Sequence, residues 1–488
     1  MTLRPLPLAA LLLLGACTVG PDYAGPPSTA ADAVQRGSFA RASDAAFSPA
    51  PGLARWWEGL NDPLLTTLVD DALAHSPSID LAVARVREAQ AQATQQRAAL
   101  KPSASVNATV IAAELPPIEP GGDGTEVQFY NAGANASWEL DLFGGGRRRI
   151  EQVRATEEAR IADLADVQVS LSAAVAQAYV GLRDVQARIG LSDATTRLQQ
   201  QQLTLTRQRL AAGTASQLSV ERLQTQLDNT RAQAIPLAAQ RDEYLNQLAV
   251  LTGRTPGALD ATLSTVAPVP LPPAQVAIGD PASLIARRPD VRAAERQLAA
   301  GTAGIGVAKA RELPGIRFLG LLGLGGTSPG DVFDLGNIAA IAAPSLSWSF
   351  LDFGKNRAAT RVSEAQRDQA DATYRKTVLD ALQDAETALS RYGNSRRQLG
   401  QLVQVEATAK RATALNRQRV AAGTTTLIDQ LDVERQQLSA TGAVIQARAQ
   451  LTQYYIAVNK ALGLGWTDPV SADAARSAAA ATPPRSVR

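Results

Sequence analysis

The chain has 488 residues, with 48 Lys and Arg against 46 Asp and Glu and a net charge of +2, so no basic surplus points to a nucleic-acid partner. The single cysteine, Cys17, excludes an internal disulfide and a cysteine-built zinc site; with one histidine, His75, and one methionine, the initiator, no set of soft ligands for copper or zinc exists. Aromatic residues make up only 4%, low for a large globular core, while the good helix formers Ala, Gln, Arg and Leu are abundant.

Residues 1–16 read as a secretory signal: Arg4, then an apolar run ending in Leu11–Leu14 that is too short to remain as a membrane span. The run stops at Leu14-Gly15-Ala16-Cys17, which resembles a bacterial lipoprotein box. That resemblance implies a covalent lipid on Cys17, the first mature residue, and Thr18 rather than aspartate after it implies outer-membrane sorting. Residues 17–52, rich in Pro, Ala and Ser, then read as a lipidated, extended and loosely structured leader. His75 ends a short predicted helix before Ser76-Pro77 and reads as a surface residue rather than a ligand.

The rest of the chain is written twice. Arg207–Thr214 reads RQRLAAGT and Arg417–Thr424 reads RQRVAAGT, an offset of 417 − 207 = 210 residues. Trp138-Glu-Leu-Asp-Leu-Phe-Gly144 and Trp348-Ser-Phe-Leu-Asp-Phe-Gly354 keep that offset, as do Arg147 and Arg357. Pro77 to Pro102 and Pro289 to Pro314 each span 25 residues, 102 − 77 and 314 − 289. A repeat of this length is a duplicated structural unit.

In chain order, helices are expected over 53–102, followed by first-copy barrel strands over 103–143. Ser103–Ile111 is one strand. In Phe129–Trp138, Tyr130, Ala132, Ala134, Ala136 and Trp138 share one parity and Asn131, Gly133, Asn135 and Ser137 the other, an apolar and a polar face. The bounding aromatics stand roughly 26 Å apart at about 3.3 Å per residue, close to the apolar band of an outer-membrane barrel with aromatic girdles. Gly144–Gly146 can bend the strand into a helix, and Arg147, Arg148 and Arg149 open that helix, where they are expected to face lipid headgroups.

The first-copy helical hairpin is expected over 144–252. From Arg147 to Ala212 there is no proline, roughly 99 Å of helix at about 1.5 Å per residue, with Gly181 and Gly190 as the only internal breakers. Ile161, Leu164, Val167, Leu171, Ala174, Ala178 and Leu182 form its apolar stripe, which requires partner helices. The helix ends at Ala-Ala-Gly-Thr, where Gly213 suits a left-handed C′ position and Thr214 or Ser216 can cap the returning helix. Pro236 is expected to break that returning helix.

A linker over 253–280 leads to the second copy: a helix at 281–314, strands at 315–353 and a hairpin at 354–465, with a disordered tail at 466–488. The strands are Ile316–Gly325 and a segment carrying Ala340, Ala342, Pro344, Leu346 and Trp348, in which Pro344 weakens regular pairing. Gly301-Thr-Ala-Gly-Ile-Gly306 is not a phosphate loop, because Val307 stands where that motif needs lysine. The fold class is therefore mainly α with a small β part, two long helical hairpins with two strands each. Four strands cannot close a barrel and an open edge in lipid is not tolerated, so the sequence calls for an oligomer sharing one barrel.

These features together resemble the TolC-like outer-membrane efflux proteins, in their lipoprotein (NodT-type) branch. The resemblance rests on Cys17-Thr-Val-Gly-Pro-Asp-Tyr23, Trp56-Trp57 with Asp62-Pro63-Leu64, Trp138–Gly144, Arg287-Arg288-Pro289-Asp290-Val291 with Ala294-Glu295, Trp348–Gly354 and both Ala-Ala-Gly-Thr tips. It implies a homotrimer whose shared barrel has three times four, or twelve, strands above a periplasmic α-helical tunnel. It also implies no catalytic chemistry and no cofactor beyond the lipid. The implied partners are a periplasmic adaptor, an inner-membrane pump of the resistance-nodulation-division type, and outer-membrane lipid. The implied location is the outer membrane of a Gram-negative bacterium, lipid-anchored and reaching into the periplasm. Carried onto this chain, Arg209, Gly213, Thr214, Arg419, Gly423 and Thr424 are the adaptor-contact tips. Asp429 and Asp432, with Leu427 and Ile428 beside them, match the closed periplasmic gate; Ser219 and Arg222 stand in their places in the first copy. Tyr130, Trp138 and Trp348 are the membrane-girdle aromatics. Rival readings are the exit duct of a protein-secretion system, which shares the fold, and a non-channel periplasmic coiled-coil lipoprotein.

Overall fold

The computed structural model describes residues 18–115 and 125–466. The signal segment, Cys17, the strand connection at 116–124 and the tail beyond Trp466 lie outside the described residues, as do the side chains of Leu427 and Ile428. The first copy builds helices α1 (Pro63–His75) and α2 (Pro77–Ala99), strands β1 (Ser103–Leu115) and β2 (Thr125–Leu140), then α3 (Gly145–Ala211) and α4 (Gln217–Leu251). The second builds α5 (Pro281–Arg287), α6 (Pro289–Ala310), β3 (Gly315–Gly326), β4 (Ile338–Ser347), α7 (Lys355–Ala421) and α8 (Leu427–Ala461). The duplication is preserved in length: α3 and α7 have 67 residues each, α4 and α8 have 35 each. No helix among the described residues is long and apolar enough to cross a membrane.

The chain divides into two compact units. One contains residues up to Pro27, Arg85–Ile161 and Ala293–Arg375; the other contains Ser28–Ala84, Ala162–Arg292 and residues from Lys376 onward.

The first unit is organised by a four-stranded antiparallel sheet in the order β1-β2-β3-β4. Its register puts Val106 opposite Ala134, Ala134 opposite Leu322, and Leu322 opposite Ala340. Because side chains alternate along a strand, this alignment gathers the apolar parity of β1 and β2 on one face with Leu322, Leu324 and Ala340, while Leu319, Leu321 and Ile341 lie on the other. Pro344 is tolerated within the ladder, opposite Phe318, because β4 is an edge strand where a missing N–H can point away from the sheet. Trp348 stands one residue beyond the end of β4 rather than within it.

The second unit has the aromatic core. Trp56, Trp57, Tyr179 and Tyr392 are almost wholly buried, and Trp56 meets Tyr455 edge to face at 5.9 Å between ring centroids. Asp62 caps α1 through one carboxylate oxygen and accepts the Tyr179 hydroxyl at 2.7 Å on the other. Burial pushes the Tyr179 phenol up to about 12. α3 is buried almost all round near its middle, from Val169 to Val185, so the expected stripe understates the packing there. Gly181 does not weaken α3: a Cβ at that position would lie 2.4 Å from Cζ of Tyr244 on α4, so glycine is what lets that ring approach.

Pro236 does not break α4, which runs through it to Leu251. The lost intrahelical bond is outweighed because Leu227 before it and Leu237 after it are both buried and hold the helix on either side. The connection between the copies is not purely a linker, since Val276–Ala277 pairs in parallel with Phe47–Ser48. The Arg288-Pro289-Asp290 segment is a structural clamp. Arg288 pairs with Asp290 and Asp384 at 2.9 Å and donates to the carbonyls of Ala381 and Ala461, reaching α7 and the end of α8.

Candidate channel wall, anchor site and gate

The sheet supplies a surface with two characters. The face carrying Val106, Ala134, Leu322 and Ala340 is apolar across all four strands between the levels of Tyr130 and Trp138. The opposite face is mixed: it carries the Asn135–Asn107 hydrogen bond at 2.8 Å and the Arg317–Glu139 ion pair at 3.0 Å, but also Leu319, Leu321 and Ile341. The edge strands are β1 and β4, and no other described strand pairs with their outer edges.

The girdle residues sort by register. Tyr130 lies opposite Val110 and Gly326 at one end, while Trp138 lies opposite Phe318 at the other, their rings stacked at 6.2 Å. Both Trp138 and Trp348 donate their indole N–H to a backbone carbonyl just before the first strand of their own hairpin, Leu100 before β1 at 3.0 Å and Glu312 before β3 at 3.1 Å. These are equivalent positions in the two copies, so the duplication has kept the hydrogen bond as well as the ring. Both indoles remain partly exposed, at 39% and 57%.

The three arginines after the glycines have separate partners. Asp141 accepts from the backbone N–H groups of Gly146 and Arg147 at 2.8 and 2.9 Å, capping the start of α3, and pairs with the Arg147 side chain at 3.3 Å. Arg149 is exposed and reaches Gln152. Arg148 is buried, which corrects the expectation that all three face headgroups. Its guanidinium donates to the carbonyls of Val19 and Gly20, to Asp22 at 2.6 Å and to Glu151 at 2.8 Å. A planar guanidinium can satisfy several acceptors at once, and it is well suited to hold an extended strand.

The leader is therefore bound rather than loose over Val19–Tyr23. The Val19 N–H donates to the Phe143 carbonyl at 3.0 Å, and the Tyr23 hydroxyl donates to Glu295 at 2.9 Å beneath the Arg296 guanidinium. Gly20 and Gly306 meet backbone to backbone: a Cβ on Gly20 would lie 2.5 Å from the Gly306 Cα. The glycine-rich stretch dismissed as a phosphate loop is thus the seat for the leader. Cys17 itself lies outside the described residues, two positions before Val19.

At the first tip, Gly213 has φ of +70°, its N–H donates to the Leu210 carbonyl, and the N–H and hydroxyl of Thr214 both donate to Arg209. The second tip repeats this with Gly423 at +73°, Val420, Thr424 and Arg419. This double closure is the Schellman motif, so Gly213 and Gly423 have a conformational reason to be glycine before any partner is considered. All six expected tip residues lie on these two turns.

The helices that return from the tips are capped differently. Ser216 caps α4 by accepting from the Ser219 N–H at 3.3 Å. Thr426 caps α8, and Asp429 reciprocates by accepting from the Thr426 N–H, the Thr426 hydroxyl and the Thr425 hydroxyl at 3.1, 2.7 and 2.9 Å. Those hydrogen bonds hold the Asp429 carboxyl below the usual aspartate range. Asp432 lies 3.6 Å from Arg435. The two acids expected to work as a pair are thus separately engaged within one chain, Asp429 as half of a capping box.

Beside the tips the two hairpins diverge. The first is closed by an apolar cluster of Leu203, Val220, Leu223 and Leu227. In the second, buried Glu434 of α8 accepts from Gln202 of α3 at 2.9 Å, from Gln430 at 2.7 Å and from Arg417 of α7 at 2.9 Å; Asn416 donates to Gln430 at 2.9 Å. Glu434 thus joins the first copy's long helix to both helices of the second hairpin. Sequence reasoning missed it. The signal was available: at the 210-residue offset Glu434 corresponds to Gln224, and Gln430 to Val220.

Among the described residues no group of acids, histidines or cysteines is placed to hold a metal. His75, the last residue of α1, has its Nδ1 3.1 Å from the Asp71 carbonyl.

The model for the family described as outer membrane efflux protein matches twice, at residues 68–254 and 281–464, once per copy. The pyoverdine export outer membrane protein OpmQ of Pseudomonas aeruginosa is 33% identical, with 94% of this chain and 96% of that protein covered. The solvent efflux pump outer membrane protein SrpC of Pseudomonas putida is 30% identical over 96% and 99% of the two chains. Among solved structures, the outer-membrane channel OprN is 34% identical with a TM-score of 0.85, covering 92% of this chain and all of that one.

Proposed function

We propose a working assembly from one premise: this chain belongs to the outer membrane efflux protein family and is the outer-membrane channel component of an efflux pump. Three copies join β4 of one sheet to β1 of the next and close a twelve-strand barrel, three times four. The observation that carries this is the sheet itself, apolar on one face between Tyr130 and Trp138 and open at both edges among the described strands. Unpaired backbone groups at an edge cost several kcal/mol each in hydrocarbon, and closure removes them.

The lipid on Cys17 and the docked leader then fix the anchor to the sheet-bearing unit, with Arg148 as its holding point. Arg209, Gly213, Thr214, Arg419, Gly423 and Thr424 present the two tips to a periplasmic adaptor, which links the channel to an inner-membrane pump of the resistance-nodulation-division type. Exported cargo is small molecules such as drugs.

The gate resides in the second hairpin. Support comes from the contrast beside the tips: an apolar cluster has no alternative partners in water, whereas the hydrogen bonds around Glu434 can be exchanged for water as the hairpin swings. Asp429, Asp432 and Leu427 stand at the end of that hairpin, and three copies would bring six carboxylates around one axis. Such a ring favours cations.

The test is the native mass of protein extracted from outer-membrane fractions, by light scattering with the detergent contribution subtracted, followed by conductance in planar bilayers. Three protomers and a conducting pore are expected. A monomer released without detergent would remove the shared barrel.

A further inference from the structure

At the helix-proximal end of the sheet, a cleft of about 440 Å³ lies among the ends of α2, β2, α6 and β4. Its apolar lining includes Leu140, Phe143, Leu313 and Trp348, and two arginines line it, Arg149 and Arg311. The acids of the lining are already engaged: Asp141 caps α3 and pairs with Arg147, and Glu139 pairs with Arg317. The arginines are not. Arg149 meets only the neutral amide of Gln152, and the Arg311 side chain has no hydrogen-bond or ion-pair partner among the described residues. The cleft therefore combines a net positive field with an apolar wall.

We propose that this cleft binds an anionic amphiphile: a phosphate or carboxylate head held between Arg149 and Arg311, and an acyl or aromatic body against Leu140, Phe143, Leu313 and Trp348. Guanidinium forks match the planar or tetrahedral oxygens of such heads, and the volume suits a head with the first part of a chain. The amphiphile has two sources, an anionic membrane phospholipid or an anionic apolar compound being exported. The inference goes beyond the channel reading; binding is read on the purified protein and does not rest on that reading, and only the exported compound as source does.

The experiment is native mass spectrometry of the full-length protein, first as extracted from outer-membrane fractions and then after delipidation and addition of dodecyl phosphate. Inorganic phosphate and dodecyltrimethylammonium are the controls. Dodecyl phosphate is expected to bind, with affinity falling roughly tenfold or more in Arg149→Gln/Arg311→Gln, the loss of two charge-assisted hydrogen bonds. Both arginines are exposed, so folding should survive, and an unchanged circular dichroism spectrum verifies it. Trp348→Ala removes apolar wall without charge and should weaken dodecyl phosphate as well. An anionic phospholipid retained by the wild type and lost in the double variant assigns the membrane as source. Dodecyl phosphate binding with no retained lipid assigns the exported compound. Equal binding by wild type and double variant, equal binding of the cationic amphiphile, or no binding of dodecyl phosphate overturns the proposal.

Discussion

Replacing Glu434 by alanine tests whether the second hairpin is held by the buried carboxylate. The change removes the acceptor for Gln202, Gln430 and Arg417. Arg417 is 63% exposed and regains water, so it contributes little to the loss. Gln202 and Gln430 are only 9% and 6% exposed, and a buried donor left unpaired costs about 1–3 kcal/mol. The sum is about 2–6 kcal/mol. The adjoining cleft, lined by Gln199, Gln202 and Glu434, gives water a route to the freed amide of Gln202 and favours the lower half of that range. About 3 kcal/mol of lost local stability corresponds to roughly 100-fold faster amide hydrogen exchange where exchange follows local opening. The assay is hydrogen–deuterium exchange resolved to peptides covering 200–210 and 412–436 in the detergent-solubilised channel. Glu434→Gln, which keeps one acceptor oxygen, should fall between the two. Leakage of a large antibiotic into cells should follow the same order. Exchange within about threefold of wild type in Glu434→Ala would refute the reasoning, because the carboxylate would then hold nothing that opens.

Three further outcomes are expected. Arg148→Gln should free the leader, since the carbonyls of Val19 and Gly20 and the carboxylate of Asp22 lose their shared donor; limited proteolysis between residues 18 and 30 should accelerate about tenfold or more while the helices stay resistant. Asp429 has a folded-state pKa below its unfolded value, so its capping contribution is fully present above the ordinary aspartate range and is lost only as pH falls beneath that range. The pH dependence of exchange at residues 426–430, with Asp429→Asn as control, reads this; a transition above the ordinary range would instead favour mutual repulsion in a carboxylate ring. Gly181→Ala forces the Tyr244 ring to move and should destabilise the second unit by about 1–3 kcal/mol, with partial rescue by Tyr244→Ala, measured by denaturant unfolding.

The local chemistry was legible in the sequence wherever one stretch of chain decides its own structure. Gly213 and Gly423 before threonine specify helix ends because only a left-handed residue closes both carbonyls. Proline-free runs of good helix formers set α3 and α7, and the alternation about Trp138 set a strand with one apolar face. The 210-residue repeat supplied the architecture as a doubled unit.

What only the tertiary structure decided is how groups distant in the chain share one partner. Pro236 looked like a break because propensity is local, but burial of Leu227 and Leu237 overrides it. Arg147, Arg148 and Arg149 are indistinguishable as a run, yet only Arg148 points to the leader, 128 residues away at Gly20. Gln202 and Glu434 are 232 residues apart and meet because two hairpins pack side by side. A helical sequence fixes which residues lie on one face, at a period of about 3.6, but not what faces them. The identity of the neighbour comes from packing, and with it the difference between a solvated arginine and a buried one.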